Sequence, residues 1–516
     1  MSGIRVGSEI EADVDVEADV CVVGSGCGGA TLALALAERG LSVVILEQGG
    51  YYTKRDFDQR EADMLAKIDG GRGLSTSDDG GMLLTYGNNV GGASVHYWAD
   101  SYRTPADRLE VWAREFGVEG HDLATLTPHF ERLERDLHVH PAPDELANRM
   151  NELFRAGATS LGYAVERIPQ ARNGCIKSGH CAQGCAYDAK QSQLVTHIPR
   201  AIELGASLFA DVRARRLVFE GRKLIRLEAD VLDRATGRPT GREVRVKAGA
   251  FAMAAGGYGT PTFLLKQGLG VRLPALGKNF FCNPCPMSHA RFDEPVVMWR
   301  NIPAAFAVEQ FRLARFDAAG RYVEGGYLLM PNQLHPGSLA AILPGIGRSH
   351  REWMLALPQV GGAIAWIDDA ELGSIEMRGD RVRVHVPIEG ANASRIRDAW
   401  KKQANVLLAA GARIVAFGDA RDTTVTNASE VDAAVAAIDL RPARNVLAAP
   451  HPGGGCRMGS DPELSVVGSD HRVHGMDNLF VTDPSVFPTP PSVDPSLTIM
   501  AFSLVAADAI ASASGR

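Results

Sequence analysis

Apolar residues first gather in Asp19-Val20-Cys21-Val22-Val23, which enters a glycine turn and continues as Ala30-Thr31-Leu32-Ala33-Leu34-Ala35-Leu36-Ala37-Glu38-Arg39-Gly40. The Leu and Ala spacing of the second segment predicts a helix lying on a sheet. Leu41 to Glu47 is almost continuously apolar, as a parallel strand buried on both faces requires, so a βαβ unit is predicted here. Segments 122–137, 145–162 and 394–411 have the period and length of amphipathic helices. Between 212 and 250 charged and apolar residues alternate around a turn at Gly237-Arg238-Pro239, which predicts an antiparallel meander; the apolar run 248–256 then returns as a buried strand. The stretch 290–440 has another texture, with strand-like pieces at Gly362 to Ile367 and Arg381 to Pro387 and no nucleotide signature. It is expected to form the floor and walls of a substrate site. Leu497 to Ile510, about 14 apolar residues, falls short of the roughly 20 that span a bilayer and is expected to be a buried helix.

A chain of 516 residues with 45% hydrophobic content exceeds one ordinary core, so two joined domains are expected. The net charge of -7 and pI near 6.1 argue against a nucleic-acid footprint, which needs clustered Lys and Arg. A small, weakly charged partner fits better. The acidic start, without an apolar stretch of signal-peptide length, leads to the expectation of a cytoplasmic protein with no transmembrane segment.

The turn after the first strand reads Val22-Val23-Gly24-Ser25-Gly26-Cys27-Gly28-Gly29, a GxGxxG match placed between strand and helix. In that context Gly24 permits the tight turn, Gly26 lets the backbone approach a pyrophosphate, and Gly29 allows close helix packing, while the helix start, Cys27 included, offers unpaired N–H groups. Glu47, closing the second strand, stands where a carboxylate bonds a ribose diol. These residues point to a dinucleotide and leave FAD and NAD open.

Further motifs resemble the glucose-methanol-choline (GMC) family of flavin oxidoreductases along nearly the whole chain. They are Gly87-Asn88-Asn89-Val90-Gly91-Gly92-Ala93-Ser94, the segment Ala254-Ala255-Gly256-Gly257-Tyr258-Gly259-Thr260-Pro261, His451-Pro452-Gly453-Gly454-Gly455-Cys456-Arg457-Met458-Gly459, and Asn478 to Pro488. Gly257, Phe263 and Gln267 depart from the family's usual residues. The resemblance implies FAD, bound by the first loop with Glu47, Gly91, Gly92, Ser94, Val212, Ala255, Gly256, Asp483 and Pro495. It implies an α/β architecture, a Rossmann-like FAD-binding domain (15–110, 200–290 and 440–516) with an α+β substrate-binding domain built on an antiparallel sheet (111–199 and 291–439). His96 follows Gly92 at the spacing where some members attach flavin covalently; a ring-packing histidine fits the same spacing.

Oxidising an alcohol by hydride transfer requires a base at the hydroxyl while flavin N5 faces the C–H bond. Histidine suits that role, and among 14 of them the resemblance selects His451. The family's partner position, usually histidine or asparagine, is Asp494. Ionised aspartate only accepts hydrogen bonds, so Asp494 is either the base or the group that orients His451. The resemblance thus implies oxidation of a small-molecule alcohol to the carbonyl, with dioxygen or another electron acceptor as oxidant. A lyase with a structural flavin and an electron-transfer subunit are the alternatives. Closeness to the long-chain alcohol oxidase branch, with apolar Tyr327 to Met330 and Ala340 to Leu343, leads to the expectation of an apolar or amphipathic substrate.

Of eight cysteines, Cys175, Cys181 and Cys185 are spaced C-x5-C-x3-C in a loop before a helix expected from about Gln191. Three such thiols suit a [3Fe-4S] cluster, zinc with His180 as fourth ligand, or unliganded burial. The spacing also resembles cluster-bearing dehydrogenases of the family. Cys282-Asn283-Pro284-Cys285 is the weaker metal candidate.

Overall fold

Strand Val14–Val23, helix Cys27–Glu38 and strand Val43–Leu46 form the βαβ unit in a computed structural model that describes residues 3–515. Val43–Leu46 is buried along its whole length because parallel strands extend the sheet on both sides of it and helix Cys27–Glu38 packs on it. The sheet runs Gly3–Arg5, Ser207–Phe209, Val43–Leu46, Val14–Val23, Pro239–Met253, with Leu479–Val481 also on Pro239–Met253, and all these pairings are parallel. Lys223–Leu232 and Val212–Glu220 then add the antiparallel meander.

Helix Ser496–Ala513 has a mean hydropathy of 1.6 over 18 residues, enough by length and composition to cross a membrane, yet 61% of it is buried against its own protein. It packs on Cys27–Glu38, Leu123–Asp136 and strand Pro239–Met253, which accounts for its apolar character as core.

A second sheet runs Tyr327–Pro331, Val360–Ile367, Cys285–Arg291, Ile414–Phe417, Thr424–Val425, joined by Leu447–Ala449 and Leu83–Leu84. Its main pairings are antiparallel, and helices Arg149–Ser160 and Gly390–Ala409 pack on it. The two-residue period of Tyr327–Pro331 divides its side chains: Tyr327 and Leu329 join the core around Trp400, while Leu328 and Met330 join a smaller cluster with Tyr102, Ile364 and Val493. The chain passes between the two sheets several times, and we retain the discontinuous domain division as a proposal. The helix expected from Gln191 begins instead at His197. Residues before it turn to serve Ser94, whose Oγ accepts the Gln193 N–H at 2.9 Å.

Candidate functional site

The first loop combines two different constraints. Gly24 has φ +104°, and a Cβ there would lie 2.2 Å from the Ala254 carbonyl oxygen, so only glycine makes this turn. At Gly26 a Cβ would meet only the Gly92 Cα, at 3.8 Å, leaving a cradle open in front of a helix whose first residues have no side-chain cap. Uncapped N–H groups facing such a space are an anion site of pyrophosphate size. Glu47 lies buried beside it, its Oε2 accepting from Ser25 N (3.0 Å) and Ser25 Oγ (2.8 Å) and its Oε1 from Gly49 N (2.8 Å). Burial raises the Glu47 pKa, and these donors oppose the shift.

The other implied residues surround the same space. Gly91 N donates to Ser25 Oγ at 3.0 Å, and Ser94 Oγ donates to the Gly91 carbonyl at 2.6 Å, tying the second glycine segment to the first. Gly92 opens the short turn Gly92–Val95, and His96 ends it, kept neutral by desolvation with its pKa down to about 4. Ala255 precedes helix Gly256–Lys266, where Asp483 Oδ2 accepts Gly256 N at 3.0 Å and the Thr260 hydroxyl. Val212 donates its N–H to the Glu47 carbonyl at 2.8 Å, so that amide is committed within the protein.

At the other end, His451 Nε2 and Asp494 Oδ1 stand 3.3 Å apart, and their side chains are only 15% and 11% exposed. His451 enters from the glycine loop, its N–H on the Cys282 carbonyl at 3.3 Å; Asp494 precedes Pro495, the N-cap of Ser496–Ala513. The Trp366 ring meets the His451 imidazole edge-on at 5.2 Å, and Trp98 lies 6.0 Å beyond. His451 Nδ1, Asp494 Oδ2, Asp100 Oδ2, Tyr102 Oη and Trp366 Nε1 are all buried without a hydrogen-bond partner. Native interiors seldom leave such atoms unpaired, so this group marks a place for polar atoms of a ligand or water. Burial and, next, the Asp494 charge raise the Asp100 pKa well above the usual carboxylate range, while Gln170 Nε2 donates to its other oxygen at 2.8 Å.

Residues 43–285 and 371–503 match the GMC oxidoreductase family, and residues 19–55 match an FAD binding domain. A GMC-type oxidoreductase of Mycobacterium tuberculosis is 31% identical over 95% of this chain and 75% of its own length. The chain belongs to the GMC oxidoreductase family. Among relatives of this GMC oxidoreductase is a long-chain-alcohol oxidase of Arabidopsis thaliana, 24% identical over 96% of this chain and 68% of its own length. Pyridoxine 4-oxidase from Mesorbium loti shares the fold with a TM-score of 0.71 at 18% identity, over 97% of this chain and 99% of the other. FAD is the cofactor of this GMC oxidoreductase, and the open cradle at Gly26 fits its pyrophosphate.

In the cysteine loop of this GMC oxidoreductase the three alternatives part on where the thiols point. Among the described residues no three His, Cys, Asp or Glu side chains gather as a metal site, and all eight thiols are free. Cys175 packs against the small cluster containing Ala142, Leu146 and Ile302. Cys181 Sγ accepts from Arg172 Nη1 at 3.3 Å, and the Cys181 carbonyl receives the buried Lys190 amine at 2.5 Å. His180 Nδ1 lies 2.8 Å from the Ser178 carbonyl, with its ring against His335. Cationic side chains thus engage Cys181, and among the described residues Cys175, Cys181 and Cys185 are not gathered as the ligands that a [3Fe-4S] cluster or a four-coordinate zinc needs.

Sequence reasoning did not single out Arg108, Asp368, Ser492, Trp366 or Asp100. Trp366-Ile367-Asp368-Asp369 carried one usable signal, since two carboxylates ending a buried strand need partners of their own.

Proposed function

We propose that this GMC oxidoreductase oxidises an apolar or amphipathic alcohol to its carbonyl, with His451 and Asp494 as the pair that takes the hydroxyl proton. Gly24, Gly26, Gly29, Glu47 and the Gly91 segment would hold FAD, which when bound accepts the hydride from the carbinol carbon. The observation that carries the reading is the 3.3 Å approach of His451 Nε2 to Asp494 Oδ1, with a further acceptor atom on each residue left without a partner. In the tautomer protonated on Nε2, Nδ1 and Oδ2 are both unpartnered acceptors, so the pair has capacity for the substrate proton without exposing a charge to bulk water.

The substrate class rests on what adjoins the pair. Trp98, Tyr102, Leu328, Met330, Ile364 and Val493 form one apolar cluster that continues through Trp366 to His451. Such surroundings favour a chain of methylenes carrying a terminal or near-terminal hydroxyl. The relative named as a long-chain-alcohol oxidase agrees with this class.

An anaerobic panel of alcohols, scored by loss of flavin absorbance and then by its return in air, tests the reaction and identifies the oxidant. Bleaching by aliphatic alcohols is expected. A flavin that no alcohol bleaches would leave the lyase or electron-transfer alternatives in its place.

A further inference from the structure

The loop 489–495 that carries Asp494 is held by side chains from two distant elements. Thr489 Oγ1 accepts from Trp112 Nε1 at 2.8 Å and from Arg108 Nη1 at 3.2 Å. Arg108 Nη2 donates to Ser492 Oγ and to Asp368 Oδ2, both at 2.5 Å, and Ser492 Oγ donates to the same carboxylate oxygen at 2.9 Å. Ser492 has φ +66°, a left-handed conformation that a serine keeps only when its surroundings impose it. Arg108 comes from helix Ala106–Phe116; Asp368 follows strand Val360–Ile367, on which Trp366 meets the His451 ring. One guanidinium therefore joins the loop bearing Asp494 to the strand that contacts His451.

The joint is made in an expensive way. The Arg108 and Asp368 side chains are 14% and 10% exposed, and Arg108 Nε and Asp368 Oδ1 are buried without partners. Withdrawing two charges from water with their hydrogen bonds incomplete is a poor way to gain stability, and apolar side chains of similar volume would serve that purpose as well. What apolar packing does not supply is direction: a planar, forked donor fixes Ser492, Thr489 and Asp368 relative to one another.

We propose that Arg108 and Asp368 are positioning residues that set the separation of Asp494 from His451. The proposal rests on reading His451 and Asp494 as the proton-accepting pair, and it goes beyond that reading because neither Arg108 nor Asp368 touches either residue through a hydrogen bond. Arg108 acts on Asp494 through Ser492, and Asp368 acts on His451 through the strand of Trp366. The charged or titratable groups near the pair include Asp100 and Tyr102, which feel the Asp494 charge, Arg108 and Asp368 at the joint, and Cys282, whose carbonyl accepts the His451 N–H, with Asp369 bonded to its amide.

The test uses FAD-loaded protein carrying Arg108→Met, Arg108→Lys, Ser492→Ala or Asp494→Asn. One measurement needs no substrate: the titration of the His451 ring, followed by NMR with nitrogen-labelled histidine and assigned by its loss in His451→Gln. Arg108→Met is expected to move that titration in the same direction as Asp494→Asn, with Arg108→Lys between it and the wild type. The double variant Arg108→Met/Asp494→Asn is expected to titrate like Asp494→Asn alone. The second measurement is the rate of anaerobic flavin reduction, expected to fall about tenfold or more in Arg108→Met with KM changed less than threefold and FAD content unchanged. A His451 titration identical to wild type in Arg108→Met and Ser492→Ala would overturn the proposal. A titration that moves while the wild-type flavin is reduced by no alcohol would uphold the positioning role and discard the proposed reaction. Should Arg108→Met fail to fold, Arg108→Lys and Ser492→Ala carry the same comparison.

Discussion

The imidazole of His451 and the carboxylate of Asp494 stand 3.3 Å apart, and neither side chain is more than 15% exposed. That approach puts the carboxylate within reach of an Nε2 proton. Asp494→Asn keeps the shape but removes the charge and replaces an acceptor by a donor on one arm. The rate of anaerobic flavin reduction by an alcohol is expected to fall about 100-fold or more, the range typical of a lost proton acceptor, with FAD still bound. An undiminished rate would remove Asp494 from the proton transfer.

Gly26 and Gly28 predict opposite phenotypes for the same substitution. A Cβ at Gly28 would lie 1.8 Å from the Thr482 carbonyl oxygen, whereas one at Gly26 meets nothing nearer than 3.8 Å. Gly28→Ala should therefore destabilise even the apoprotein, by about 1–3 kcal/mol or more as overpacking does, seen as a lower Tm. Gly26→Ala should leave the apoprotein Tm unchanged and weaken FAD binding about tenfold or more, because the methyl occupies the pyrophosphate cradle. Titration of each apoprotein with FAD, followed by flavin fluorescence, separates the two effects.

The apolar cluster beside His451 predicts a dependence on substrate chain length. Each methylene buried adds about 0.8 kcal/mol, so kcat/KM should rise about fourfold per carbon along a series of primary alcohols until the space is filled. Met330 is fully buried in that cluster. Met330→Asn is expected to flatten the series while leaving the shortest alcohols little changed. A series already flat in the wild type would count against an aliphatic substrate.

Burial holds His289 neutral, with its pKa pulled down from about 6.5 to about 4. In the unfolded chain it takes a proton as pH falls through 6.5, while in the folded protein it resists until about 4. Its contribution to stability is therefore present above pH 6.5 and is lost on acidification, at about 1.4 kcal/mol per pH unit. Buried Asp369, raised to about 7, works in the opposite sense, so the whole-protein profile mixes the two. Comparing His289→Gln with wild type isolates the histidine: the difference in urea midpoint should shift in favour of the variant between pH 6.5 and pH 4.5. A difference independent of pH would contradict this.

Much of the nucleotide half could be read from the chain, because its signals are local. The turn at Gly24, the helix after it and the apolar strand ending at Glu47 are neighbours in sequence, and backbone geometry alone dictates their residue types. Residue types at the reacting end were visible too, but only through family resemblance singling out His451 and Asp494. Arg108 looked like any polar residue of an amphipathic helix, and Ser492 like any turn residue; what sets them apart is the carboxylate of Asp368, which comes from another sheet. The cysteine spacing left cluster, zinc and unliganded thiols open for a related reason. Spacing constrains which thiols are near along the chain, not whether their side chains converge, and here Cys181 turns to Arg172 while Cys175 packs into an apolar cluster.

Taken alone, the sequence determined the βαβ unit and the dinucleotide turn, since each is written in periodicity or glycine placement, and the resemblance it carries pointed to the candidate pair. The tertiary structure alone decided that Gly28 must be glycine, that among the described residues Cys175, Cys181 and Cys185 are not gathered around one point, and that Asp494 reaches His451 on a loop tied down by Arg108. The physical reason is the same in each case. Close contacts between segments far apart in the chain depend on where whole sheets and helices come to rest, and no local pattern of residues encodes that distance.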